Sequence, residues 1–317
     1  MGVNLDKPHR WKDDIAASVD LYNNWFLRFA PKTYREKREK ATADVEAMLK
    51  RTKFLKDLSA EELRSNPSIL SALRMCTAPP IARDRLVGLC GISKNLVNNM
   101  ELKYRLPPRM SESELEEELS KVANMIIRLL DTDIFPWLKE GRIPTSEEAY
   151  RAATIVADRL CGANTDPIIR NAQEKRQLRK IKRWLESRGF KDMTGRTSFE
   201  KLGSGEFAFR LNVPGLMEDG KPVNIPVDVV VMPKEAEHGE LPLLIEAKSA
   251  GDFTNTNKRR KEEATKVGQL RRKLGQGVRY VLFLCGYFDS GYLGYEAAEG
   301  IDWVWEHRID DLGEFGL

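Results

Sequence analysis

Histidine and cysteine are scarce: His9, His238 and His307, with Cys76, Cys90, Cys161 and Cys285, are all that 317 residues contain. The histidines lie far apart without metal-ligand spacing, which argues against a zinc hydrolase or a histidine-based nuclease. The cysteines are too scattered for a zinc cage, and each has apolar or helical neighbours, as reduced core residues do. No stretch approaches the roughly eighteen apolar residues of a membrane span. Nor does any amino-terminal segment join a basic start to an apolar run, so a cytoplasmic protein with no membrane partner is expected. Excess charge is missing as well, since 52 Lys and Arg face 48 Asp and Glu for a net charge of +4. Affinity for a polyanion would therefore depend on where the positive charge is concentrated. Internal repeats and low-complexity segments are not found.

What the chain does have is length and apolar content, with 41% hydrophobic residues in 317, enough for two modest cores or one large one. From Trp11 to about Leu160 the apolar spacing is helical, and Ser59-x-x-Glu62, Ser111-x-x-Glu114 and Thr145-x-x-Glu148 have the form of helix-capping boxes. The polar stretch Gly162-Ala163-Asn164-Thr165-Asp166-Pro167 is the best candidate for a boundary. The expected organisation is a helical domain over 1–165 and a second domain over 166–317.

The second domain carries the chemistry. Two apolar runs each end on acid: Pro226-Val227-Asp228, then Leu243-Leu244-Ile245-Glu246-Ala247-Lys248. Both read as strands buried on two sides, where clustered charge needs a reason. Side chains alternate along a strand, so Glu246 and Lys248 share a face while the small Ala247 points into the packing. Two carboxylates at adjacent strand ends offer hard oxygen ligands that suit Mg2+, and the Ala247 carbonyl could add a third. Lys248 would position or help deprotonate an attacking water and stabilise the charge that develops on a phosphorane-like transition state. A Glu-x-Lys triplet at a strand end is also what a solvated ion pair looks like, and only the apolar context sets it apart.

The flanking elements complete an order. Asn171 to Arg188 reads as a helix with Leu178, Ile181 and Leu185 on one face and Gly189 as a stop. Glu174, four residues before Leu178, would point towards the metal site, or simply sit as a favourable acid in a helical first turn. Lys258 to Leu274 reads as another helix, with Val267, Leu270 and Leu274 inward, and Arg279 to Cys285 as a further buried strand. Helix, strands, helix and strand with acids on the middle strands resembles the PD-(D/E)xK nuclease core, although here the proline precedes the acid by two positions. The run from Ile245-Glu246-Ala247-Lys248-Ser249-Ala250-Gly251-Asp252 through Glu263, the segment Gly286-Tyr287-Phe288-Asp289-Ser290-Gly291-Tyr292-Leu293, and the opening from Trp11-Lys12 to Tyr34-Arg35 resemble the XamI family of type II restriction endonucleases.

That resemblance implies an α/β fold, α+β overall, in which a helical amino-terminal domain accompanies a restriction-endonuclease-like core with a central mixed sheet flanked by helices. It further implies an Mg2+-dependent endonuclease acting on double-stranded DNA at a short palindrome of the GTCGAC type, with a cognate DNA methyltransferase as functional partner. On this reading Asp228, Glu246 and Lys248 are catalytic, and Asp228, Glu246, the Ala247 carbonyl and Glu174 bind metal. Cutting both strands of a palindrome is most simply done by a homodimer with one site per strand.

Positive charge is concentrated on two helices, at Lys175, Arg176, Arg179, Lys180, Lys182 and Arg183, and again at Lys258, Arg259, Arg260, Lys261, Lys266, Arg271, Arg272 and Lys273. Acids are few in both runs, so phosphate contact is expected, above all from the second; a solvated helix face is the plainer reading. The intervening loop, Ser249 to Asn257, supplies Asn255 and Asn257 for phosphates or base edges, or is an ordinary polar turn. In the first domain, residues 81–102 read as two short helices joined at Gly91, the arrangement of a helix-turn-helix. It would present Lys94, Asn95, Asn98 and Asn99, and asparagine pairs bidentately with adenine. An ordinary helical hairpin fits the same pattern. The aromatic-rich tail, Tyr287, Phe288, Tyr292, Tyr295, Trp303 and Trp305, reads as core, as dimer contact or as a stacking surface. Two further functions remain open on sequence alone: a repair or nicking nuclease with the same core, and a non-catalytic helix-turn-helix DNA-binding protein.

Overall fold

A computed structural model describes residues 2–237, 239–253 and 256–317, with the backbone alone for 256–260. The chain is α+β. Its helices are α1 (Pro8–Arg51), α2 (Ala60–Ser65), α3 (Leu70–Met75), α4 (Arg83–Cys90), α5 (Lys94–Lys103), α6 (Glu112–Leu129), α7 (Pro136–Glu140), α8 (Ser146–Ser187), α9 (Thr256–Leu274) and α10 (Ser290–Ala298). The strands are β1 (Lys191–Asp192), β2 (Glu206–Leu216), β3 (Pro222–Val231), β4 (Leu243–Ala250), β5 (Arg279–Gly286) and β6 (Asp302–Trp305). They form one mixed sheet in the order β1-β2-β3-β4-β5-β6, antiparallel across β2, β3 and β4 and parallel elsewhere. No described helix is long and apolar enough to cross a membrane.

Two compact units emerge, Ala30–Ile169 and a second made of Met1–Phe29 with Arg170–Leu317. This differs from the expected division at 165/166 in two ways. The polar stretch 162–167, read as a boundary, lies inside α8: Pro167 forfeits one backbone donor, yet the helix continues, and Thr165 turns inward to donate its hydroxyl to the Cys161 carbonyl at 2.7 Å. Residues before Ala30 belong with the sheet because Asp302, at the start of β6, accepts the backbone N–H groups of Val3, Asn4 and Leu5, the last two at 3.0 and 3.1 Å. Trp11 adds its indole N–H to the Asn4 carbonyl at 3.0 Å and packs edge-on against Trp303. Three successive amides converging on one buried carboxylate leave no periodic trace in a sequence.

The helical unit is built around Leu63, Leu70, Leu73, Leu96, Leu119, Val122 and Trp137, all fully buried. The Ser59, Ser111 and Thr145 hydroxyls each cap their helix by accepting the N–H of Glu62, Glu114 and Glu148, and among the described residues only the third pair completes a capping box. Thr145 and Glu148 satisfy each other's amides reciprocally, at 3.2 and 2.8 Å. Within this unit Arg74, 8% exposed, is held by Glu101, 5% exposed, through Nη2 to Oε2 at 2.7 Å, and it also donates to the Ile81 carbonyl. Removing one member of such a pair strands the other charge. Glu101→Ala should therefore lower unfolding stability by roughly 3–5 kcal/mol, and a Glu101→Leu, Arg74→Met double substitution should restore most of it. Urea titration of the three proteins measures this, and a single-variant loss under about 1 kcal/mol would contradict it.

Candidate active site

The site is made by a fork in the sheet. Strand β3 pairs with β4 over only three positions, Val229 with Ile245, Val230 with Leu244 and Val231 with Leu243. The next position in that register sets Asp228 opposite Glu246, where the strands part, β3 continuing beside β2 and β4 beside β5. Residues directly opposite on antiparallel strands project to the same face, and Lys248, two further along β4, joins them. Asp228 Oδ2 accepts the Ala247 N–H at 2.9 Å across the opening. Ala247, expected in the packing, is only half-buried, because beyond the fork β4 has lost β3 as a neighbour.

Helix α9 covers this face. Glu263, Lys266, Val267 and Leu270 follow the three-to-four spacing of one helical stripe, and all four point at the sheet or its edge. Glu246, 6% exposed, receives Lys248 at 3.1 Å and Lys266 at 2.5 Å on the same oxygen, Oε1. Its other oxygen, Oε2, is buried with no partner among the described residues. Lys248 also lies 2.7 Å from Glu263, which is fully buried and accepts the Tyr280 hydroxyl. On the far side of the sheet α8 packs Ile181, Trp184 and Leu185 against Val229, Val231 and Ile245. From there the buried Gln177 donates to the carbonyls of Lys248 and Phe283, both at 3.2 Å, tying the end of β4 to β5.

Electrostatics follow from this crowding. Burial, and then the charge of Glu246, push the Asp228 carboxyl from 3.8 up to about 6, against the opposing pull of the Ala247 N–H and Lys248. Burial alone would push Lys248 down, but Glu263 and Glu246 outweigh it and hold the ammonium above the ordinary lysine range. Burial and the same two acids drive Tyr280 well above a normal phenol. Two facing carboxylates, Asp228 raised by the neighbouring charge and Glu246 with a buried unpartnered oxygen, form a donor set that a hard divalent cation would satisfy. Among the described residues no group of three His, Cys, Asp or Glu gathers into a metal cage.

The remaining expected site residues are placed less uniformly. Glu174 on α8 pairs with Arg210, so its carboxylate is committed to an arginine, although its charge contributes to raising Asp228. Arg210 stands in β2 opposite Asp228 in a left-handed conformation, φ 54°. The pair α4 and α5 forms as expected, with Gly91 at φ 61° closing α4 and the Ser93 hydroxyl accepting the Asn95 N–H at 3.1 Å. On α5, Lys94 and Asn95 are exposed, Lys94 pairs with Asp84 at 3.0 Å, and Asn98 is half-buried. Asn99 is not presented at all; it is buried, donating to the Asn95 carbonyl and side-chain oxygen, both at 2.8 Å. Asn255 lies outside the described residues, as do the side chains of Asn257, Lys258, Arg259 and Arg260.

Both basic helices are more committed than their sequences suggest. Arg176 pairs with Glu306 at 2.8 Å, Lys180 donates to the Glu306 carbonyl, Lys182 pairs with Asp192, and Arg272 pairs with Glu218 at 3.0 Å. The acids come from distant segments, so few acids within a run did not mean few acids around it. Of the aromatic tail, Phe288, Tyr292, Trp303 and Trp305 are core. Glu263, Lys266 and Tyr280 were not anticipated as site residues. The stripe that they extend was legible, since Glu263 and Lys266 stand four and one positions before Val267.

Because Asp228 keeps its proton up to about pH 6 when folded and only to about 3.8 when unfolded, it favours the folded state on the acid side and weighs against it above pH 6. Asp228→Asn, which retains an acceptor for Ala247, should thus be more stable than the parent in EDTA at about pH 8, by roughly 1–3 kcal/mol. That advantage should fade as pH falls through about 6 towards 4. Urea unfolding at both ends of this range tests the sign, and a variant no more stable than the parent at the alkaline end would refute it.

Residues 53–305 match the XamI restriction endonuclease family. The type II restriction enzyme SalI of Streptomyces albus G is 54% identical over 316 residues, 99% of each chain. No solved structure matches. The chain belongs to the XamI restriction endonuclease family and is a site-specific endonuclease.

Proposed function

We propose that this chain is a type II restriction endonuclease that hydrolyses both strands of duplex DNA at a short palindrome, of the GTCGAC type that the family resemblance implies, using Mg2+ at a PD-(D/E)xK active site. The observation that carries the site is the fork, where Asp228 and Glu246 stand opposite each other with Lys248 on the same face and one Glu246 oxygen buried without a partner. Asp228, Glu246 and the Ala247 carbonyl would hold the cation, whose bound chemistry is to lower the pKa of a water and polarise the phosphate. Glu174 is a candidate for a further ligand only after release from Arg210.

The protein side of the mechanism is charge placement. Lys248, kept as an ammonium by Glu263 and Glu246, acts as a fixed cation that orients the attacking water and meets the charge gathering on the pentavalent phosphorus, in preference to serving as the base. Gln177 and the Ala247 amide set the backbone on either side of it, so that its position does not depend on substrate. The sheet-bearing unit cuts, while the helical unit contributes recognition through Lys94, Asn95 and Asn98 on α5. Lys258, Arg259, Arg260, Asn255 and Asn257 meet the DNA near the site. Two copies form a homodimer across the palindrome, and a cognate methyltransferase protects the host's sites. The proteins act in the cytoplasm.

Purified protein incubated with unmethylated plasmid should give discrete fragments that share one palindromic end, with Mg2+ and not with EDTA. Lys248→Ala should slow single-turnover cleavage roughly 10²–10⁴-fold while leaving duplex binding in place. Sequencing the ends reveals the site. Intact DNA under every divalent metal would eliminate hydrolysis, and nicks without a common sequence would replace the restriction reading with a structure-specific one.

A further inference from the structure

Lys266 has no part in the catalytic set just described, yet it makes the shortest ion pair to Glu246, at 2.5 Å, and shares Oε1 with Lys248. It reaches there from the inward stripe of α9, lies 4.0 Å from Glu263, and its side chain is 27% exposed, so solvent is within reach of the ammonium. Among the described residues, the acids Asp228, Glu246 and Glu263 face the cations Lys248 and Lys266, and Glu174 is balanced by Arg210. With the acids ionised, one negative charge is left over. A divalent cation overshoots that by one positive charge in a half-buried setting, where like charges are poorly screened. Neutrality returns if Lys266 withdraws, or if a phosphodiester anion enters.

We infer that Lys266 is a resident counter-ion of Glu246 that opposes metal binding in the absence of DNA and so makes binding of the divalent cation and of the duplex mutually reinforcing. The inference rests on the metal site proposed above. In free protein the ammonium neutralises, through Oε1, the carboxylate whose other oxygen, Oε2, a cation would use. When a phosphodiester backbone lies along α9, the anion offers Lys266 a second partner and offsets the added charge. By linkage, whatever factor the duplex contributes to metal affinity the metal contributes to duplex affinity.

Isothermal titration of Ca2+ into DNA-free protein tests this directly. Lys266→Met should bind Ca2+ roughly tenfold or more tightly than the parent, and Lys266→Gln, which keeps a donor for Glu246 without the charge, should behave likewise. Anisotropy of a labelled GTCGAC duplex should show Ca2+ strengthening binding to the parent by a larger factor than binding to either variant. Glu246→Gln separates the two layers of argument. If it binds Ca2+ as well as the parent does, the fork is not the metal site and the functional reading of these residues fails with the inference. If it loses Ca2+ while both Lys266 variants match the parent with and without duplex, the site stands and the role of Lys266 is overturned. Thermal unfolding of each variant confirms that folded proteins are compared.

Discussion

A carboxylate with one buried, unpartnered oxygen, fixed opposite another carboxylate, is the constraint around which the sheet-bearing unit is organised. Taking Glu246 out of water is unfavourable unless its charge is met, and placing Asp228 across the fork adds repulsion to desolvation. The chain answers with two ammoniums on one oxygen, then with a third acid, Glu263, to balance them, then with the Tyr280 hydroxyl to hold that acid. Each added group is itself buried or half-buried and needs the next. Such a network gathers three acids and two ammoniums in one half-buried space, the kind of crowding that marks a candidate functional site.

Rigid supports surround the network. Strands β4 and β5 run parallel over eight positions, a buried ladder in which Lys248 pairs in register with Leu284. Helix α8 pins that ladder from one face through Gln177 and a hydrophobic stripe, and α9 closes the other with Val267 and Leu270. The amino-terminal segment contributes too. Ser18 accepts the Gly286 N–H at 2.7 Å and Asn23 accepts the Tyr287 hydroxyl at 2.9 Å, so the start of α1 braces the end of β5. Gly286, at φ 100°, has no room for a Cβ, since one would lie 2.1 Å from the Ala250 carbonyl oxygen. The close approach of β4 and β5 just past Lys248 therefore requires glycine. The candidate site and the fold are thus carried by the same elements, and the amino terminus belongs to the sheet-bearing unit in spite of its place in the chain.

Local chemistry was legible in the sequence. Alternation along a strand put Glu246 and Lys248 on one face, capping boxes located helix starts at Ser59, Ser111 and Thr145, and the 3.6-residue period oriented α8 and α9. The acid pair itself could be named because charges within apolar runs are rare enough to notice, although both acids lie inside their strands and not at the expected ends, β3 running on to Val231 and β4 to Ala250. These are properties of neighbours along the chain, fixed by covalent geometry and solvation of the immediate surroundings.

Long-range partners were not legible, because a sequence does not say which distant group will fill a polar atom's valence. Basic runs on α8 looked unpaired until Glu306 and Asp192 arrived from elsewhere, and Asn99 looked available until the helix turned it inward on Asn95. Strand β2, the attachment of residues 3–5 to Asp302 and the passage of α8 straight through Pro167 depend on packing that overrides local preference. So does the turning of Lys266 away from solvent onto Glu246. By itself the sequence determined the residue types, their faces and the family; tertiary structure alone decided the partners, since only the fold sets which charges must share one buried space.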